Sequence, residues 1–135
     1  GNGAWSPSWG SPPFRKETNL AVGDGGLWTS VDDMAHWDEG LRDRKLLKAE
    51  TWAEVFKPSK TRDGKTNDYG FGLILSLDDK GKLTSFGHSG GWGGFSTAYY
   101  RSVTGDFAVI ALSNGFNIDK IHSATYQYVE RHNKK

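Results

Sequence analysis

The chain has no cysteine, which excludes disulfides, zinc thiolates and thiol nucleophiles and leaves the redox compartment open. It has no excess of charge of one sign. Lys and Arg number 17 against 16 Asp and Glu, and the stretch from Asp32 to Lys65 holds eight of each, as a solvated surface does. Only the tail after Asp119 is mildly basic. A nucleic-acid groove or a polybasic membrane patch therefore has little support. Long apolar runs are missing too: the longest, Phe107 to Leu112, is six residues, against the roughly 20 needed to span a bilayer. The first residues, Gly1 to Trp5, have neither the charged head nor the apolar core of a secretion signal. His36, His122 and His132 have no partner at metal-ligand spacing, so they read as helix-face or terminal histidines. No metal or cofactor is expected.

What the chain does have is glycine. Its 18 glycines are about 13% of the residues against an ordinary ~7%, with no three-residue period. Residues 1–26 combine Pro7, Pro12 and Pro13 with six glycines and the aromatics Trp5, Trp9 and Phe14, and read as an irregular arm with aromatic anchors. Residues 27–135 read as one further unit. Ser30-Val31-Asp32-Asp33 is a helix start, with a capping hydroxyl and first-turn carboxylates, so Asp32 and Asp33 need no catalytic role. Val31, Met34, Ala35, Trp37 and Leu41 share a face, and Gly40 is expected to close the helix. A short helix spans Ala49 to Phe56, and a polar surface loop runs from Lys57 to Asp68. Apolar residues then alternate from Tyr69 to Leu77, a hairpin turn at 78–81 follows, and Lys82 to His88 returns. Phe95 to Arg101 and Phe107 to Ser113 are two more strands, the latter apolar throughout, as a buried central strand is. Ile118, Ile121, His122, Thr125, Tyr128 and Val129 form a helical stripe, with Asn117 as its cap.

The run Phe86-Gly87-His88-Ser89-Gly90-Gly91-Trp92-Gly93-Gly94-Phe95 holds five glycines in ten positions, with one imidazole and one hydroxyl among them. Such a ribbon lets another molecule approach the backbone closely and leaves N–H groups free to point outward. Three readings compete. Gly87 to Gly91 fits the G-x-S-x-G pattern of an α/β-hydrolase nucleophile elbow with Ser89 as nucleophile, but that motif needs a helix after the turn, and Trp92-Gly93-Gly94-Phe95 starts one poorly. A glycine-lined hairpin without function is the bland reading. The third rests on resemblance.

The run resembles the third conserved box of the serine β-lactamase and penicillin-binding protein-like family, which includes class C β-lactamases, D-Ala-D-Ala carboxypeptidases and related esterases. His88, Ser89 and Gly90 fill its Lys/His-Thr/Ser-Gly triplet, and Gly93-Gly94-Phe95 fills the following turn. Leu27 to Trp37 is similar to the family's Asp-Asp/Glu-Met-Ala helix, Tyr69-Gly70-Phe71-Gly72-Leu73 to its Tyr-Gly-Leu-Gly-Trp strand, and Phe107 to Asn114 to its apolar strand ending in Asn. The last helix matches its C-terminal helix. In order and spacing the resemblance covers residues 23 to about 130.

The resemblance implies roles. The Gly91 N–H is one of two donors facing the oxyanion of a tetrahedral intermediate, and His88 supplies a hydrogen-bonding or positive group near the attacking oxygen. Ser89, Gly90, Trp92 and Asn114 contact substrate: an ester, a D-Ala peptide or a β-lactam. A His in place of Lys is only partly cationic near neutrality, which leans toward the esterase and peptidase relatives. The other five of the six tryptophans read as core anchors, and the bland alternative for Asn114 is a strand-end cap.

One departure stands out. None of the eleven lysines has Ser or Thr three residues before it, and no Asn has Tyr or Ser two before it. The family's Ser-x-x-Lys nucleophile and its Tyr/Ser-x-Asn partner are thus absent. The expectation is the C-terminal part of a longer serine acyl hydrolase, inactive alone, meeting its N-terminal half or a second copy. A non-catalytic ligand- or peptidoglycan-binding module is the alternative. The fold expected is α+β: an antiparallel sheet of about four strands, a C-terminal helix packed on it, and one or two helices from a preceding lobe. The resemblance suggests a periplasmic or secreted protein.

Overall fold

The computed structural model describes residues 23, 25, 27–92, 94–115 and 118–132; the irregular arm lies almost wholly outside them, as does Asn117. Helix α1 (Val31–Arg42) starts where the capping hydroxyl stands, with the Asp33 N–H donating to Ser30 Oγ at 3.1 Å. It does not stop at Gly40. The helix continues to Arg42, and Gly40 instead makes room for Leu46, whose Cδ1 is 3.3 Å from the Cβ that a larger residue would carry. The face α1 buries also differs from its apolar stripe. Met34, Asp38 and Leu41 turn inward, whereas Val31 and Trp37 are about half exposed. Helix α2 (Ala49–Val55) buries Trp52 and Val55.

Four strands, β1 (Ile74–Leu77), β2 (Leu83–Trp92), β3 (Phe95–Ser102) and β4 (Phe107–Ser113), form an antiparallel meander in the order β1-β2-β3-β4. The alternation expected from Tyr69 to Leu77 yields a strand only over its last four residues. Gly72 takes a φ of +73°, and the Gly70 N–H donates to the Leu73 carbonyl at 2.8 Å, so a tight turn brings Tyr69 back opposite Ile74. β2 is longer than expected, running through the glycine box to Trp92. β4 is an edge strand among the described residues, not a central one. It is apolar because α1 packs on one of its faces and α3 (Ile118–His132) on the other.

The core lies between the helices α1 and α2 and one face of the sheet. Trp52 is only 2% exposed and stacks on Phe56 at 5.5 Å. Phe56 meets Phe86 at 4.9 Å, and Phe86 meets Tyr99 at 6.4 Å. This aromatic chain carries packing from α2 into the sheet, with Leu41, Val55 and Leu75 around it. A buried polar cross-link accompanies it. Asp38 accepts from Tyr99 Oη at 2.7 Å and from Arg101 Nη1 at 2.6 Å, while Arg101 also pairs with Asp106. Burial, and then the Asp38 carboxylate, push the Tyr99 phenol well above the usual range. The opposite face of the sheet carries α3, which buries Ile118 and His122 and sets Tyr126 against Phe107 at 5.2 Å. Part of the expected stripe faces outward instead: Ile121 and Tyr128 are exposed. Among the described residues no helix is long and apolar enough to cross a membrane.

Candidate active-site wall

In an antiparallel sheet a middle strand aims the backbone groups of successive residues alternately at its two neighbours. Two observations fix which way β2 points. The Leu75 N–H donates to the Asp68 carbonyl at 2.8 Å, away from β2, so Leu75 and Phe86 are a non-hydrogen-bonded pair and Ile74 and Gly87 a bonded one. At the other end only two positions separate Trp92 from its partner Phe95, and the residues flanking a two-residue hairpin loop form a bonded pair. Both give the same parity. His88, Gly90 and Trp92 bond to β3, whereas Gly87, Ser89 and Gly91 point to the β1 side. There β1 supplies Ile74 opposite Gly87 and begins at that residue. Among the described residues no strand covers β2 from His88 to Trp92 on that side, and residues 88 to 91 are exposed. The amide of Gly91 therefore faces an open edge.

The glycines of this ribbon divide by function. A Cβ on Gly87 would lie 2.1 Å from the Tyr99 carbonyl oxygen, and one on Gly90 would lie 2.9 Å from Thr97 Oγ1, so the sheet itself needs those two. A Cβ on Gly91 meets nothing closer than the Phe95 carbonyl oxygen at 3.7 Å, an ordinary contact. Packing does not require glycine there.

His88 projects on the same face as Tyr99, its partner across the ladder. Its Nδ1 lies 2.5 Å from the Ser89 carbonyl, a backbone oxygen on the open edge, and its Nε2 lies 2.9 Å from Tyr69 Oη. The two rings meet edge-on at 5.7 Å. The sequence places Tyr69 in a strand and in no site. Only the Gly70–Gly72 turn brings it here, and two glycines in five residues were its one trace in the sequence.

Ser89 points the other way, as the period of two demands. Its side chain lines a recess of about 280 Å³ with Tyr100, His122, Ser123 and Tyr126 on the α3 face. The structure thus brings His88 and Tyr69 together and sends the Ser89 hydroxyl to the opposite side of the sheet. Asn114 is exposed just past β4. Trp92 ends β2, and its side chain lies outside the described residues. Ser89 does not stand on a nucleophile elbow. Gly87 to Gly91 is the interior of a continuous strand followed by an antiparallel partner, with no strand-to-helix turn on which Ser89 could stand exposed at a strand end. Among the described residues no three His, Asp or Glu side chains gather as metal ligands do.

The Beta-lactamase family model matches residues 1–133. The chain belongs to the β-lactamase family. It is 34% identical over 110 residues to Penicillin-binding protein 4* of Bacillus subtilis (strain 168), covering 76% of this chain and 24% of that protein. The chain thus spans about a quarter of the length of this relative. No solved structure matches it. The glycine ribbon on β2, the α1 helix after Ser30 and the apolar β4 strand stand in the order that the family resemblance implies.

Proposed function

We propose that this chain supplies one wall of the acyl-binding cleft of a serine hydrolase, with the Ser-x-x-Lys nucleophile carried by polypeptide outside these 135 residues. The observation that supports it most is the open edge of β2. The Gly91 N–H points away from β3 at a position where no side chain intervenes, which is the arrangement an oxyanion donor needs. A backbone donor fixed in a sheet does not reorganise as charge develops on the carbonyl oxygen, and that preorganisation is why such donors accelerate acyl transfer. His88 and Gly90 flank the donor. On the resemblance, Ser89, Trp92 and Asn114 complete the substrate contacts, Ser89 through its backbone groups on the open edge. The substrate is an ester, a D-Ala peptide or a β-lactam. The N-terminal half pairs beyond β4, whose outer edge has no partner among the described residues.

The test is a pair of measurements. The 135-residue chain alone, incubated with a chromogenic ester and with a fluorescent penicillin, shows neither turnover nor covalent label. A longer protein that contains both this chain and a Ser-x-x-Lys segment turns over the ester, and Gly91→Pro lowers kcat about 10²–10³-fold. Proline removes the outward N–H and puts its ring in that place, and an edge position tolerates it. Covalent labelling of Ser89 in the short chain contradicts the reading. Retention of penicillin without turnover by the longer protein replaces it with a binding module.

A further inference from the structure

The contacts of His88 restrict what it can do. A backbone carbonyl only accepts hydrogen bonds, so the 2.5 Å contact with the Ser89 oxygen requires the hydrogen to sit on Nδ1. In the neutral ring Nε2 is then a bare acceptor, and the partner 2.9 Å away, Tyr69 Oη, must donate to it. In the imidazolium both nitrogens carry hydrogens, and Tyr69 Oη and the Ser89 oxygen accept them. In either charge state both ring nitrogens are engaged by the protein, so the imidazole has no N–H left to offer a substrate. Tyr69 is itself well held. Its N–H donates to Asn67 Oδ1 at 3.2 Å, and its carbonyl accepts from the Ser59 N–H at 2.9 Å. The Gly70 behind it tolerates no side chain, because a Cβ there would lie 2.3 Å from the Val55 carbonyl oxygen. Tyr69 is nevertheless 39% exposed, and a hydroxyl that donates to Nε2 keeps its lone pairs.

We infer that Tyr69 is the positioning residue of His88, fixing its ring and its Nδ1–H tautomer together with the Ser89 carbonyl, and that the Tyr69 hydroxyl is the group this side of the cleft presents to a substrate. The cleft-wall role rests on the function proposed above, whereas the positioning can be measured without a substrate.

The experiment is ¹⁵N NMR of the histidine rings in the 135-residue chain, at a pH about two units above the ordinary imidazole range, in wild type and Tyr69→Phe, with His88→Asn assigning the resonances. The expected wild-type pattern for His88 is a protonated Nδ1 and a bare, hydrogen-bonded Nε2. In Tyr69→Phe the Nε2 resonance moves to the position of a bare nitrogen without a donor, and a fraction of the Nε2–H tautomer appears. His122 is the control for folding. It is buried, and its Nε2 donates to the Val109 carbonyl at 3.1 Å, so it shows the opposite tautomer and keeps it in both proteins. A wild-type His88 in the Nε2–H form overturns the inference, as does an unchanged Nε2 resonance in Tyr69→Phe. If His122 loses its signature, the Tyr69→Phe chain is misfolded. Tyr69→Leu, which has no polar atom to offer Nε2, then supplies the same comparison. A positive result beside an inactive longer protein separates the failure of the proposed function from that of the pair.

Discussion

The two halves of β2 belong to one continuous strand and have different fates. From Ser85 to Gly87 the strand is paired on both sides, and Phe86 sits in the aromatic chain between α2 and the sheet. From His88 to Trp92 it is paired only to β3, and its other edge is bare. The change falls at one residue, because β1 begins at Ile74 opposite Gly87. In the first half the backbone holds the sheet together, and in the second the same backbone groups are available to a ligand. On the proposed function, the donor arises from where a neighbouring strand starts, and no unusual side chain is needed for it.

Substitutions in the two halves should therefore behave differently. The largest effect is expected for Asp38→Ala, which leaves the buried Arg101 guanidinium with Asp106 alone and the Tyr99 hydroxyl without its acceptor. Breaking one member of a buried ion pair costs about 3–5 kcal/mol, read as a fall in the urea midpoint. Gly87→Ala comes next, at about 1–3 kcal/mol or more, because its Cβ would collide with the β3 backbone. Tyr99→Phe removes one donor to Asp38 at a cost of about 1–3 kcal/mol. It also alters the alkaline limb. The folded phenol is raised, so the unfolded chain releases this proton first. The stability it contributes is intact below the ordinary tyrosine pKa of about 10 and falls as pH rises beyond it. In Tyr99→Phe that share of the decline disappears from the pH dependence of unfolding. The smallest effect belongs to the open half: Gly91→Ala shifts stability by no more than about 0.5 kcal/mol.

Much of this arrangement was legible in the chain. The Ser30 cap, the three longer strands and the C-terminal helix follow from capping chemistry and periodicity, and the His88 to Gly91 ribbon from its glycines. What was not legible depends on tertiary neighbours. Asp38 interrupts an apolar stripe, and nothing local says that Tyr99 and Arg101 will meet it. Gly40 looks like a stop because helix-ending glycines are common, whereas here it is a packing site for Leu46. Tyr69 reads as a strand residue until Gly72 adopts a positive φ and turns it toward His88. The same period of two that places His88 on the face of Tyr99 sends the Ser89 hydroxyl to the α3 face, a consequence that a motif match does not display.

The outward aim of the Gly91 amide can be read directly by native-state hydrogen exchange resolved to single amides along β2. The account predicts alternation beyond Gly87: His88 and Gly90 protected by their bonds to β3, Ser89 and Gly91 exchanging close to the rate of free peptide. Protection of Gly91 equal to that of Gly90 would show its N–H engaged within the sheet and would contradict the account.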